Sequence, residues 1–401
     1  MKKFLYPGIV LSLLMLTILS GCGGGKSGGG NPGGNPGGNP GGDSGDPGGG
    51  TGSGTKYFAY VANKDSNTIS AYAVGSDGTL SPVGSPVSAS DAGGPRAVAA
   101  DPAGKFLYVA NESLLNGSTV DKAANVSIFK IGSDGTLSPA GSPVYSSVED
   151  STFISLAVDS AGQFVYVADD SPLPRVLSYR IDPSGGALSP VDDIQELRGS
   201  PQSIAVDPTG KFVYVAANGN PGSNLVLAFK SSSGTLSSLN FVSSGDLAFY
   251  SNPGSIVSAG QFVYAVRQNG AVSNLKINAF ENLSLVGTTT GTTALSTAVT
   301  VDPAGQFVYV ANGNGTISAF KIGLDGALSP VGGSPFGSGL GALSSITVDP
   351  AGEFVYVTNQ GSGLSPGTIS AFTIDRSSGA LSPVGTVNAG LGPVSIVIVK
   401  K

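Results

Sequence analysis

The 401-residue chain has no histidine, no tryptophan, a single cysteine and only 11% charged side chains. Each scarcity removes possibilities. Without imidazole there is no Ser-His or Cys-His nucleophile pair, and most zinc, copper and haem sites lose their usual nitrogen ligand. The lone Cys22 allows no disulfide within the chain. Acidic side chains outnumber basic ones, 26 against 20, for a net charge of −6. That balance argues against nucleic acid or an anionic bilayer surface as partner, since both reward clustered Lys and Arg.

Glycine is abundant instead, and it is concentrated behind a secretory-type start. Lys2 and Lys3 precede an apolar run from Ile9 to Leu19, which reads as a signal peptide over residues 1–21. Leu19-Ser20-Gly21-Cys22 resembles the bacterial lipobox, which implies cleavage before Cys22 and a lipid anchor on it. Residues 22–55 follow as a linker; positions 23–55 hold 18 glycines in 33 residues, a composition that cannot bury apolar surface and acts as a tether. The expected location is the bacterial cell envelope, membrane-bound through Cys22. Gly23 stands where an Asp is commonly linked to inner-membrane retention, so the outer membrane or cell surface is preferred.

From residue 56 to 401 one pattern recurs. An aromatic-x-Tyr-Val motif is centred on Tyr60, Tyr108, Tyr166, Tyr214, Tyr264, Tyr309 and Tyr356, spaced 45 to 58 residues apart. Such a period with strand-like content signals a repeated β unit. Within a unit, a short apolar strand such as Ser203–Val206 leads through Asp207-Pro208-Thr209-Gly210 into Lys211–Ala216, an aromatic and β-branched strand suited to burial on both faces. A third strand, as in Thr316–Ile322, alternates apolar and polar residues, which suits a strand further from the axis. A fourth contains Leu-Ser-Pro-Val, whose proline fits a sheet edge.

The ends of the pattern are complementary. The unit at Tyr57–Ala62 lacks a first strand, whereas Val394–Val399 reads as a first strand with nothing after it. Pairing the two closes a ring. The expected fold is all-β: a seven-bladed β-propeller of four-stranded antiparallel blades, closed by the C-terminal strand on the N-terminal strands.

Tyr356-Val357-Thr358-Asn359, with variants at Tyr60, Tyr108 and Tyr309, matches the tetrapeptide of YVTN-repeat propellers, and residues 56–401 resemble the seven-bladed lactonase family that includes 6-phosphogluconolactonase and carboxymuconate cyclase. The resemblance implies that fold, and lactone chemistry by a His with Glu and Arg near the axial funnel. This chain has no residue to match that His, so no catalytic role carries over from the family. A phosphorylated sugar lactone is also a cytoplasmic metabolite, at odds with export. The missing tryptophans separate the chain from WD-repeat and quinone-dehydrogenase propellers.

Loops entering the innermost strands and loops joining second to third strands share one propeller face. For lactone hydrolysis there, Glu149 or Asp150 is the candidate base and Arg96, Arg198 or Arg267 the candidate cation. Asn111, Asp169 and Asn269 are candidate ligand-binding residues, and the insertion from Asn111 to Asn125 a candidate lid. The adjacent pairs Asp169-Asp170 and Asp192-Asp193 lack the spaced acids of a calcium loop, so neither metal nor cofactor is expected. The leading expectation is an extracytoplasmic lipoprotein, monomeric, whose face binds a polar small molecule, glycan or protein. The alternative is an exported lactone hydrolase.

Overall fold

The computed structural model describes residues 55–401 apart from 117–118, 149, 196, 220–224, 244–252, 293–294, 340 and 362–363. The signal, Cys22 and Glu149 lie outside the described residues. Among the described residues, seven antiparallel sheets form the blades of the domain. In blade two the strands run Pro95–Ala100, Phe106–Asn111, Asn125–Ile131 and Leu137–Pro139 from axis to rim. Blade one is built from both ends of the chain: Pro393–Lys400 pairs with Tyr57–Asn63, followed by Thr68–Val74 and Leu80–Pro82. Its register runs from Tyr57 opposite Lys400 to Val61 opposite Ile396, so the ring is closed by the expected strand.

The second strands are buried on both faces; Phe106–Asn111, Phe307–Asn312 and Phe354–Asn359 are covered throughout. The third strands are largely covered as well. Ile317–Phe320 is fully covered, Ser318 included, because neighbouring blades sandwich the strand. Ser318 is satisfied there by Asn312, whose Nδ2 donates to its Oγ at 3.0 Å. Asn63 to Ser70, Asn111 to Ser127 and Asn359 to Ser370 repeat this bond. The Asn that ends the repeat motif is therefore a bracket between strands in blades one, two, six and seven.

The motif tyrosines fasten one blade to the next. Tyr60 Oη donates to the Gly135 carbonyl at 2.9 Å, and Tyr108, Tyr264 and Tyr309 reach Gly186, Gly326 and Gly379 in the same way. Each of those glycines sits at positive φ in the turn after a third strand, beneath a Phe ring of the preceding blade. A Cβ on Gly135 would lie 2.2 Å from the Phe58 ring, so only glycine admits this contact.

Candidate functional site

Every innermost strand carries a β-bulge at the same height. In blade two, Pro95 faces Asn111 and Ala97 faces Ala110, which leaves Arg96 as the extra, unpaired residue. The corresponding residues are Ile154, Gln202, Gly254, Thr297, Ser344 and Val394. A bulge re-aims a side chain and ends regular pairing, and these seven stand where the innermost strands begin. Arg96 is the one charged member.

Backbone bonds tie that level to the loops after the second strands: Lys64 N to Gly392 O, Glu112 N to Gly94 O, Asp170 N to Thr152 O and Gln360 N to Ala342 O. The two loop sets thus form one face, here called the funnel face. On it, Glu112 Oε2 lies 3.2 Å from Lys64 Nζ and 3.6 Å from Arg96 Nη1, all three side chains partly exposed. Glu112 also bridges to Thr152 at the entrance to blade three. One carboxylate between two cations is an arrangement that can polarise a carbonyl and orient a water molecule beside it.

A second cluster is closed. Arg175 is 3% exposed; its Nε donates to Asp169 Oδ2 at 2.8 Å, its Nη1 to Asp193 Oδ2 at 2.9 Å and its Nη2 to Ser146 Oγ at 3.1 Å. Ser151 Oγ donates to Asp169 at 2.6 Å. Burial pushes the Asp169 carboxyl up, against the opposing pull of Ser151 and Arg175. With its guanidinium so occupied, Arg175 forms one wall of a cleft of about 460 Å³ between blades two and three, alongside Tyr145, Tyr179 and Asp192.

The lactonase family model, described as a seven-bladed β-propeller, matches residues 53–114, 113–246 and 218–339, more than half of the chain. The chain belongs to the lactonase family of seven-bladed β-propellers. Among solved structures, this lactonase-family propeller is similar to the periplasmic gluconolactonase of Pseudomonas aeruginosa, with 19% identity, TM-score 0.70, and 86% of this chain and 99% of that one covered. It is also similar to a Bacteroides fragilis protein provisionally identified as a 6-phosphogluconolactonase, with 19% identity, TM-score 0.68, and 88% and 100% covered. A third, a Lactobacillus plantarum protein, gives 18%, 0.67, and 86% and 99%. At these identities the likeness carries the fold. No curated protein matches the chain.

Of the sequence-derived candidates, this lactonase-family propeller brings Arg96 to a carboxylate, that of Glu112. Asp150 is exposed at φ 58°, in a turn beside the entry to blade three. Arg198 lies over the Phe241 ring, 5.0 Å from its centre. Arg267 is buried, with Nε donating to Ser273 Oγ at 2.8 Å, and burial lowers its pKa. Asn269 accepts from Ala271 N at 3.2 Å within a turn. Asn111 is the blade-two bracket and Asp169 the buried partner of Arg175. The insertion after Asn111 forms a small hairpin, Leu114–Asn116 with Thr119–Lys122, whose Lys122 lies 3.7 Å from Asp91. Glu112 is not among the sequence-derived candidates. The signal available was its place directly after the Asn of the motif, one residue beyond the end of a buried strand.

Proposed function

We propose that the chain is an extracytoplasmic lactone hydrolase acting on a sugar-type lactone at the funnel face. The observation that carries this reading is the position of Glu112, held between Lys64 and Arg96 beside the bulge ring of a lactonase-family propeller. Glu112 would orient and deprotonate the water that adds to the lactone carbonyl, Arg96 would meet the developing oxyanion, and the proton taken by Glu112 would pass to the ring oxygen as its bond to the carbonyl carbon breaks. With no imidazole in the chain, Lys64 completes the polar set. The lipobox-like Leu19–Cys22 supports attachment to the envelope, and the periplasmic location of the gluconolactonase with the same fold is in keeping with it.

Purified protein presented with a panel of sugar and aliphatic lactones should hydrolyse at least one, and Glu112→Gln and Arg96→Ala should each lower kcat/KM by about 10²-fold. Turnover surviving both substitutions would remove these roles. The total absence of histidine favours a second reading, a binding platform at the same face. It predicts retention of a sugar or sugar acid without turnover, read by calorimetry. Lipidation is tested separately: labelled palmitate should enter the wild type and not Cys22→Ser.

A further inference from the structure

We infer that the ligand of the funnel face is an uncharged lactone and that the face rejects a phosphorylated one. This inference rests on the lactone reading above and narrows it. Its basis is that each cation of that face already has a neighbouring partner, while carboxylates outnumber cations across the face as a whole. Lys64 and Arg96 share Glu112. Lys122 lies 3.7 Å from Asp91, and Arg175 is closed in by Asp169 and Asp193. Arg198 covers the Phe241 ring, and Arg267 is buried with Ser273. The internal segments outside the described residues contain no Lys or Arg in sequence, so they supply no further one.

Anions on this face are in surplus. Asp65, Asp121, Asp150 and Asp170 have no Lys or Arg within 4 Å among the described residues. The domain's other basic residues, such as Lys105, Lys130, Lys230 and Lys321, sit at the opposite ends of the strands, by the hairpin and third-strand turns. Phosphate recognition relies on Arg or Lys geometry or on a cluster of backbone donors, and around the Lys64–Glu112–Arg96 cluster a phosphate dianion meets unpaired carboxylates instead. A polyhydroxylated neutral ring carries no such penalty, and its hydroxyls suit carboxylate and amide partners.

The test compares kcat/KM of the full-length protein for glucono-δ-lactone and its 6-phosphate at low and high salt. The neutral lactone should be preferred by tenfold or more, and salt should narrow the gap by screening repulsion. Equal or better use of the phosphorylated lactone, or a gap that salt does not narrow, would overturn the inference. The double variant Asp65→Asn/Asp170→Asn should narrow the gap several-fold at low salt; an unchanged gap would also overturn it. Calorimetry with gluconolactam, a neutral mimic, and with 6-phosphogluconate reads the same selectivity without turnover. Tighter lactam binding in a protein that hydrolyses nothing would sustain the inference while removing the hydrolase reading. Tighter 6-phosphogluconate binding would overturn the inference whether or not the protein hydrolyses a lactone, and binding of neither in a protein without turnover would remove both.

Discussion

Tyr356 in the seventh blade donates its phenolic hydrogen to the carbonyl of Gly78 in the first, at 3.0 Å, across the seam where the ring closes. The residues are far apart in sequence, yet the bond is the one made between Tyr60 and Gly135 inside the chain. Burial pushes both phenols well above their ordinary range, so they stay protonated donors. Tyr356→Phe should therefore lower stability by about 1 kcal/mol, the net value of a buried hydrogen bond. Tyr214 provides the control. Its hydroxyl is buried without a partner among the described residues, so Tyr214→Phe should be neutral or slightly stabilising. Denaturant melts of the two variants check the contrast.

Removal of Val394–Lys401 should abolish cooperative unfolding. The segment supplies the strand paired with Tyr57–Asn63, and Ser395 Oγ accepts from Val98 N of blade two at 3.2 Å. Its loss would expose Tyr60, Ala62 and Val61 at an open sheet edge. A truncated chain that still melts in one sharp transition would show that the ring does not depend on closure.

The tyrosine period and the unmatched end strands made the ring legible in sequence, because each follows from local strand and turn chemistry repeated seven times. The glycine partners of the tyrosines lie in turns, but the contact is between blades and needs the packing geometry. The site was harder to read. Arg96 reaches the funnel face through a bulge, and nothing in Gly-Pro-Arg-Ala-Val announces an extra residue in the pairing. Lys64 belongs to blade one and Glu112 to blade two, so only the ring places them together. Asp169 and Asn111, by contrast, looked like ligand-face residues because they end the motif, and that position turns inward to bracket strands.

Blade five lacks the glycine of the inter-blade contact. Glu281 occupies its place at φ 59°, Phe212 of blade four is only partly buried, and Tyr214 loses its carbonyl partner. The left-handed conformation costs a residue with a side chain about 1–2 kcal/mol. The Glu281 bond to Lys230, 2.7 Å between half-exposed side chains, offsets little of that. Glu281→Gly should stabilise the domain by about 1 kcal/mol. It should also turn Tyr214→Phe from neutral to destabilising, by letting the turn approach the phenol. A double-mutant cycle measures this coupling.

Acid should weaken the fold through the turns after the third strands. Asp375 accepts from Ser377 Oγ at 2.6 Å and Ser377 N at 2.9 Å, which brings its carboxyl down to about 2 from 3.8. Asp77, Asp134 and Asp182 are lowered by hydrogen bonds from Thr79, Thr136 and Ser184. A carboxyl lower in the folded state binds fewer protons there, so its contribution is present above the unfolded value and is lost as pH falls through the folded one. The Tm should fall steadily from about pH 4 towards pH 2, with a shallower slope in Asp375→Asn. A flat Tm over that window would refute the role of these turns.

The repeat itself suggests how to dismantle the buried ion pair of blade three. Asp169 stands opposite Arg175 at the register position where Asn63 faces Thr68 in blade one and Asn359 faces Thr368 in blade seven. In those blades the pair is neutral, Asn359 Nδ2 donating to Thr368 Oγ1 at 3.1 Å. Asp169→Asn alone would leave the buried Arg175 with only the more exposed Asp193, and should destabilise by about 3 kcal/mol, as expected when one partner of a buried pair is lost. Asp169→Asn/Arg175→Thr should recover most of that loss, since it installs the Asn–Thr pair of blades one and seven and removes the desolvated charge. Urea melts of the single and double variants decide the matter. A double variant no more stable than Asp169→Asn would mean that Arg175 holds blades two and three together through Ser146 and Asp193, independently of Asp169.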